Sequence, residues 1–228
     1  MRVKSLSHLV TAELQKDENG WYRIIIPGAS VPGHVSRREA ETTDLPLKTY
    51  YLNVSSASKF ENHPFTACNG ALSTSGTGEQ QDIVFLWRVP TTGKPDKKQS
   101  REWTTKLACL MDSTQESDKM DLEVGNTLSV EPTDERKLSG NTLGNLQSRT
   151  IALRMQGPYT IPHSPFNEYR TVVCMIGGTG ISGALSLANT FLALKASGKP
   201  CVTERLSIVW SIRETEDAEL VDVSGMTE

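Results

Sequence analysis

The sequence predicts two unlike halves: a small antiparallel β-barrel, followed by the first β-α-β unit of a parallel-sheet α/β domain. Two observations carry this reading. Before residue 162 the chain shows several short strand-like runs, heavy turn punctuation and little helical periodicity. After it, Thr171–Leu194 (TVVCMIGGTGISGALSLANTFLAL) holds no charged residue and passes from a β-branched run through Gly177-Gly178-Thr179-Gly180 into a helical pattern.

The first half opens on a hairpin. Leu9–Leu14 and Trp21–Ile26 flank Asn19-Gly20, a strong two-residue turn signal. Pro27, Gly28, Pro32 and Gly33 break the pattern, and the charged, aperiodic Ser36–Pro46 reads as a loop. Lys48–Val54 and Asp82–Val89 read as strands, separated by Phe60–Thr66 and a Gly/Ser/Thr loop over Asn69–Gln80. Arg101–Met111 has helical spacing, with Thr104 or Thr105 able to cap it. Residues 112–148 are rich in Ser, Thr, Asp, Glu, Asn and Gly and read as a flexible insertion. Thr150–Met155 is a strand running into Gly157-Pro158-Tyr159. The expected division is a barrel over 1–161 and a partial α/β domain over 168–228, joined near Pro162–Asn167. In the second half, strand Val172–Ile176, helix Ser182–Ala196 and strand Leu206–Ile212 make one crossover, which calls for parallel strands.

Composition narrows the classes. With 228 residues, 37% hydrophobic content and mean hydropathy −0.36, the chain reads as a somewhat polar, soluble intracellular protein with room for a core. A net charge of −3 without a basic stripe argues against nucleic acid. The four cysteines have no CxxC spacing, and the four histidines have no helical pairing suited to haem or metal. No signal peptide follows Met1. Thr171–Leu194 is long enough to span a bilayer, but Gly, Thr, Ser and Asn interrupt its middle, where lipid would leave backbone groups unsatisfied. A strand, glycine turn and helix in this order can instead seat a pyrophosphate on a helix N-terminus, or simply form a tight turn.

Four segments taken in order carry a family resemblance: His63-Pro64-Phe65-Thr66, then Trp103-Thr104-Thr105-Lys106-Leu107, then Gly157-Pro158-Tyr159, then Gly177–Ile181. Together they resemble the dehydrogenase portion of the ferric-chelate reductase and NADPH oxidase family, nearest in flavour to the fungal ferric reductases. The resemblance runs from about Trp21 to Ile212. It implies an FAD-binding antiparallel barrel followed by an NADP-binding α/β domain. In the family both sit on the cytosolic face of a membrane, behind a haem-bearing membrane segment that is absent from this chain. Electrons there pass from NADPH through FAD to haem and ferric iron, as part of iron transport.

Carried over residue by residue, the resemblance assigns FAD binding to His63, Pro64, Phe65, Thr66, Thr104 and Thr105. Phe65 would stack on the flavin, Thr66 would approach N5, and His63 would lie toward the ribityl–phosphate side. It assigns NADP binding to Gly177, Gly178, Thr179, Gly180 and Ile181. Ser211 and Arg213 would hold the 2′-phosphate, which a guanidinium can grip bidentately. No catalytic or metal residue is implied. Two departures stand out: Glu102-Trp103 replaces a glycine–aromatic pair, and Thr160 replaces the glycine that ends the family's GPYG turn.

The later cysteine–glycine segment of the family has no counterpart in Glu214–Glu228, so the resemblance reads as a truncated portion. A non-catalytic remnant or FAD-binding module is the alternative. A free-standing Rossmann oxidoreductase is disfavoured, because Gly178-x-Gly180-x-x-Gly183 lies far into the chain and no acidic residue ends the next strand.

Overall fold

The Asn19-Gly20 turn joins β1 (His8–Lys16) to β2 (Trp21–Ile26), and the Asp17 carboxylate accepts the Trp21 backbone N–H at 2.8 Å. The computed structural model describes residues 8–42, 44–68, 82–89, 102–112 and 147–220. The predicted Asn69–Gln80 loop and nearly all of the 112–148 insertion therefore lie outside the described residues.

Four more strands complete the first half: β3 (Thr49–Asn53), β4 (His63–Thr66), β5 (Ile83–Arg88) and β6 (Gln147–Tyr159). The six run antiparallel in the order β4-β3-β6-β1-β2-β5. An Ala67–Phe85 bridge and a Cys68 N–H to Val84 carbonyl bond of 2.8 Å bring the two outer strands together, so the sheet nearly closes into a barrel. The expected antiparallel barrel is thus present. Alternation drives it: along β6, Ile151, Leu153 and Met155 point inward while Ala152 and Arg154 face solvent. Leu14, Ile24, Ile26, Tyr50, Leu52, Phe85 and Leu153 are all completely buried. Each such side chain stabilises the fold by roughly 1.5–3 kcal/mol through removal from water.

Two local expectations are corrected. Ser36–Pro46 is not all loop: α1 spans Gly33–Glu41. Val35, completely buried, anchors it, and Arg37 pairs with Glu41 one turn on at 3.3 Å. Val35 is its only large apolar residue, too little for periodicity to detect, although Arg and Glu are good helix formers. The second concerns α2 (Trp103–Asp112): the Glu102 carbonyl accepts the Lys106 N–H at 3.0 Å. Glu102 is therefore the N-cap, and Thr104 and Thr105 lie inside the first turn rather than capping it.

The second half is β7 (Thr171–Gly177), α3 (Ile181–Ser197) and β8 (Arg205–Ser211), with β7 and β8 parallel. The uncharged run is thus divided between a strand and a helix. No helix among the described residues is long and apolar enough to cross a membrane. α3 is uncharged until Lys195 because it is covered on two sides. Leu187 and Leu194 pack with Phe166 toward β7 and β8. On the barrel side, the Ser186 hydroxyl accepts the Leu47 N–H at 2.9 Å and the Asn189 amide donates to the Cys68 carbonyl at 2.9 Å. A Cβ on Gly183 would stand 3.4 Å from Leu47 Cδ2, so small residues let this face approach closely. Pro162–Asn167 is more than a linker, since Phe166 within it is completely buried.

Burial at the barrel seam pushes the Cys68 thiol up to about 12, with a backbone bond from Leu86 and the Arg23 charge opposing the shift. Cys109 is exposed. Mass spectrometry after iodoacetamide treatment at pH 8 is expected to find Cys109 labelled and Cys68 protected until the protein unfolds. Because the folded thiol resists ionisation and the unfolded one does not, Cys68 should draw stability down as pH rises from 9.0 to about 12.

Candidate functional site

The glycine turn between β7 and α3 forms one wall of an open cleft of about 400 Å³. Gly177, Gly178 and Thr179 line it, as do Ser211, Ile212, Arg213 and Glu214 at the end of β8. This placement follows from the crossover: parallel strands bring both carboxyl ends, and the loops after them, to the same edge. Gly178 sits at φ +49 with nothing within 4 Å of where a Cβ would be. The backbone there is bare. The Trp210 indole donates to the Gly178 carbonyl at 3.0 Å and fixes the turn against β8.

Five of the predicted NADP residues, Gly177, Gly178, Thr179, Ser211 and Arg213, therefore share one cleft. The other two face elsewhere. Gly180 packs on Ile176, where a Cβ would come within 3.3 Å. Ile181 is a core residue, 3% exposed beside Trp21 and Ala184, and its N–H is taken by the Gly178 and Thr179 carbonyls.

The opposite wall comes from the barrel. Trp21 and Arg88 line the cleft together with Asp217, which lies in the 3-10 turn Thr215–Leu220. The Arg88 guanidinium pairs with the Asp217 carboxylate, the Trp21 indole N–H donates to the same oxygen at 3.0 Å, and Arg88 lies 5.8 Å from the Trp21 ring centre. Asp217 is 4% exposed. In the sequence it belongs to an acidic run beside Arg213 and looks solvated; its burial could not be read there. Trp21 and Arg88 look like ordinary strand ends, and nothing local marks them as cleft residues.

The predicted FAD residues occupy a second region on β4 and the start of α2. His63 stacks on Trp103 with centroids 4.5 Å apart, and its Nε2 is 3.8 Å from the Glu61 carboxylate. Lys106 approaches the same carboxylate at 3.7 Å. Phe65 is half-buried and turns inward, meeting Phe85, Trp87 and Trp103 at 6.1, 6.0 and 5.6 Å. Pro64 is exposed and pairs across the ladder with Tyr51; Thr66 pairs with Thr49. On that outer face Tyr51 and Tyr159 meet edge to face at 5.5 Å. Tyr159 ends β6, so GPY is the tail of a strand rather than a turn after it. Thr160 is not among the residues with positive φ, and the backbone there does not need the family's glycine.

Does this region suit a flavin nucleotide? The buried His63 Nε2 and the Trp103 indole N–H have no hydrogen-bond partner among the described residues, and both stand beside the N-terminus of α2. Buried polar atoms without a partner beside a helix N-terminus are compatible with a phosphate group held there. The residues fit the group.

No protein-family model matches the chain. Over 186 residues, 80% of this chain, it is 20% identical to the probable ferric reduction oxidase 1 of Arabidopsis thaliana and spans only 20% of that protein's length. Among solved structures it is similar to a mutant ferredoxin-NADP+ reductase from Plasmodium falciparum, with 10% identity and TM-score 0.47, covering 90% of this chain and 59% of that one. It is also similar to the cytochrome b5 reductase domain of Ulva prolifera nitrate reductase, with 12% identity and TM-score 0.46, covering 96% and 67%. The ferric-reductase resemblance drawn from the motifs agrees with the plant relative.

Proposed function

We propose that the chain is the electron-entry portion of a ferric-reductase-type flavoprotein oxidoreductase. In this reading the barrel through residue 161 holds FAD and residues 168–228 hold NADPH. His63, Thr104, Thr105 and the first N–H groups of α2 take the FAD phosphates, with Pro64, Phe65 and Thr66 along its flavin part. The carrying observation is the cleft, which gathers Gly177, Gly178, Thr179, Ser211 and Arg213 at the edge where the barrel meets the parallel sheet. Bound FAD would supply the conversion of a hydride from NADPH into single electrons. The chain's own work is to bind and aim the two nucleotides. Haem in a membrane partner segment is the proposed next carrier and ferric iron the proposed destination; the name of the plant relative, a probable ferric reduction oxidase, supports the iron step.

Purified chain incubated with FAD and desalted should be yellow, and adding NADPH should then reduce ferricyanide. A protein that stays colourless defeats the flavin assignment. A second reading, an FAD-binding module without donor activity, draws support from the bare face of the β7–β8 sheet. There Val173, Met175 and Val209 are 58%, 77% and 53% exposed, whereas parallel sheets ordinarily have both faces covered. A coloured protein that does not respond to NADPH would favour it.

A further inference from the structure

Resting on that reading of the cleft, we infer that Arg88, contributed by the barrel, is a binding residue for the dinucleotide's diphosphate, and that Asp217 and Trp21 are the positioning residues that aim it. The end of β5 lies beside the Gly178–Gly180 turn, and Arg88 lines the same cleft as Gly177 and Gly178. Arg213 lies two residues past the end of β8 and lines the same cleft. Two arginines from different halves thus border one concave site.

The surroundings of Arg88 are those of a preset guanidinium. Its side chain is 20% exposed, so part of it reaches the cleft. One N–H is occupied by Asp217; a guanidinium carries five, which leaves a fork for phosphate oxygens. Trp21 covers the guanidinium face at 5.8 Å and also holds the Asp217 oxygen, so the pair is braced from two directions. A buried carboxylate that served only the core would be an expensive choice, since desolvating the pair offsets much of its attraction. Its placement at a cleft wall, holding a partly exposed arginine, is explained by an anion that arrives there. A diphosphate is the anion that a glycine turn at a helix start accepts.

The test is isothermal titration of the purified chain with NADP+, NAD+ and adenosine 2′-monophosphate, at two ionic strengths. Arg88→Met alone leaves Asp217 unpaired and endangers folding, so the informative variants are Arg88→Lys and the double variant Arg88→Met/Asp217→Asn, which removes both charges. Losing a charge-assisted bond costs roughly 10- to 100-fold in affinity. The double variant should lose that much for NADP+ and NAD+ alike, with a flatter salt dependence, while 2′-monophosphate binding stays within about twofold. Arg88→Lys should fall between it and the wild type, because an ammonium keeps the charge but not the fork. Asp217→Asn should weaken both dinucleotides a few-fold, and that effect should vanish in the Arg88→Met background, as expected of a residue acting through Arg88. Arg213→Gln should instead lower NADP+ affinity selectively. Both Arg88 variants binding the dinucleotides like wild type would overturn the assignment and leave the proposed function standing; so would a loss confined to NADP+. Wild-type protein that binds none of the nucleotides would bring down both.

Discussion

Gly157→Ala is expected to destabilise the barrel by about 2–5 kcal/mol, enough to unfold a marginal domain. Gly157 sits at φ +138, a region that residues with a side chain avoid. A Cβ there would lie 2.8 Å from Tyr50 Cδ1 and 2.9 Å from the Thr49 carbonyl oxygen. Neither neighbour can move freely. Tyr50 is completely buried against Phe85, and Thr49 is paired with Tyr159 in the ladder. The strain falls where β3 and β6 slip register between Thr49 and Tyr51, so the glycine accommodates the irregularity. Urea denaturation followed by far-UV circular dichroism measures the loss. A midpoint unchanged from wild type would show that the strand relaxes around the methyl group.

Trp21→Ala should cost about 3–5 kcal/mol, the range for deleting a large buried aromatic. The residue is 1% exposed and packs with Ile181 and Ala184 of α3, and its ring meets Trp210 edge to face at 6.3 Å. It also holds the buried Asp217 carboxylate. Truncation therefore opens a cavity and weakens support for an ion pair in one step. Trp21→Phe separates these effects: it keeps most of the packing, loses the indole hydrogen bond, and should cost about 1 kcal/mol. Thermal unfolding of the three proteins should rank them wild type, Phe, Ala. Equal losses for Phe and Ala would mean that the hydrogen bond, not the packing, carries the contribution.

Most of the architecture was legible because it rests on local signals. Asn19-Gly20 specified a hairpin, alternation in Thr150–Met155 specified a strand, and the uncharged run with its glycine turn specified a strand and a helix. The crossover then placed Gly177–Thr179 and Ser211–Arg213 at one sheet edge by topology alone. What stayed hidden depends on distant partners. Asp217 finds Arg88 across 129 positions and Trp21 across 196, and no spacing encodes such a meeting. Phe65 gave a motif but not a direction: its inward turn onto Trp87 and Trp103 follows from the pleat of β4, which depends on its register with β3. Helix α1 escaped because Val35 is the one large apolar residue in Gly33–Glu41, too few for a helical stripe.

The contacts that α3 makes with the barrel bear on how the chain folds. Ser186 and Asn189 bind main-chain groups, at Leu47 and at Cys68 beside the seam between β4 and β5. Those partners are 139 and 121 positions away, so the contacts form only after long loops have closed, an entropically slow step. Barrel closure and docking of the helix thereby become one cooperative event. Amide exchange at the seam should accordingly follow global unfolding rather than local fraying, and the two halves would open together as a single unit.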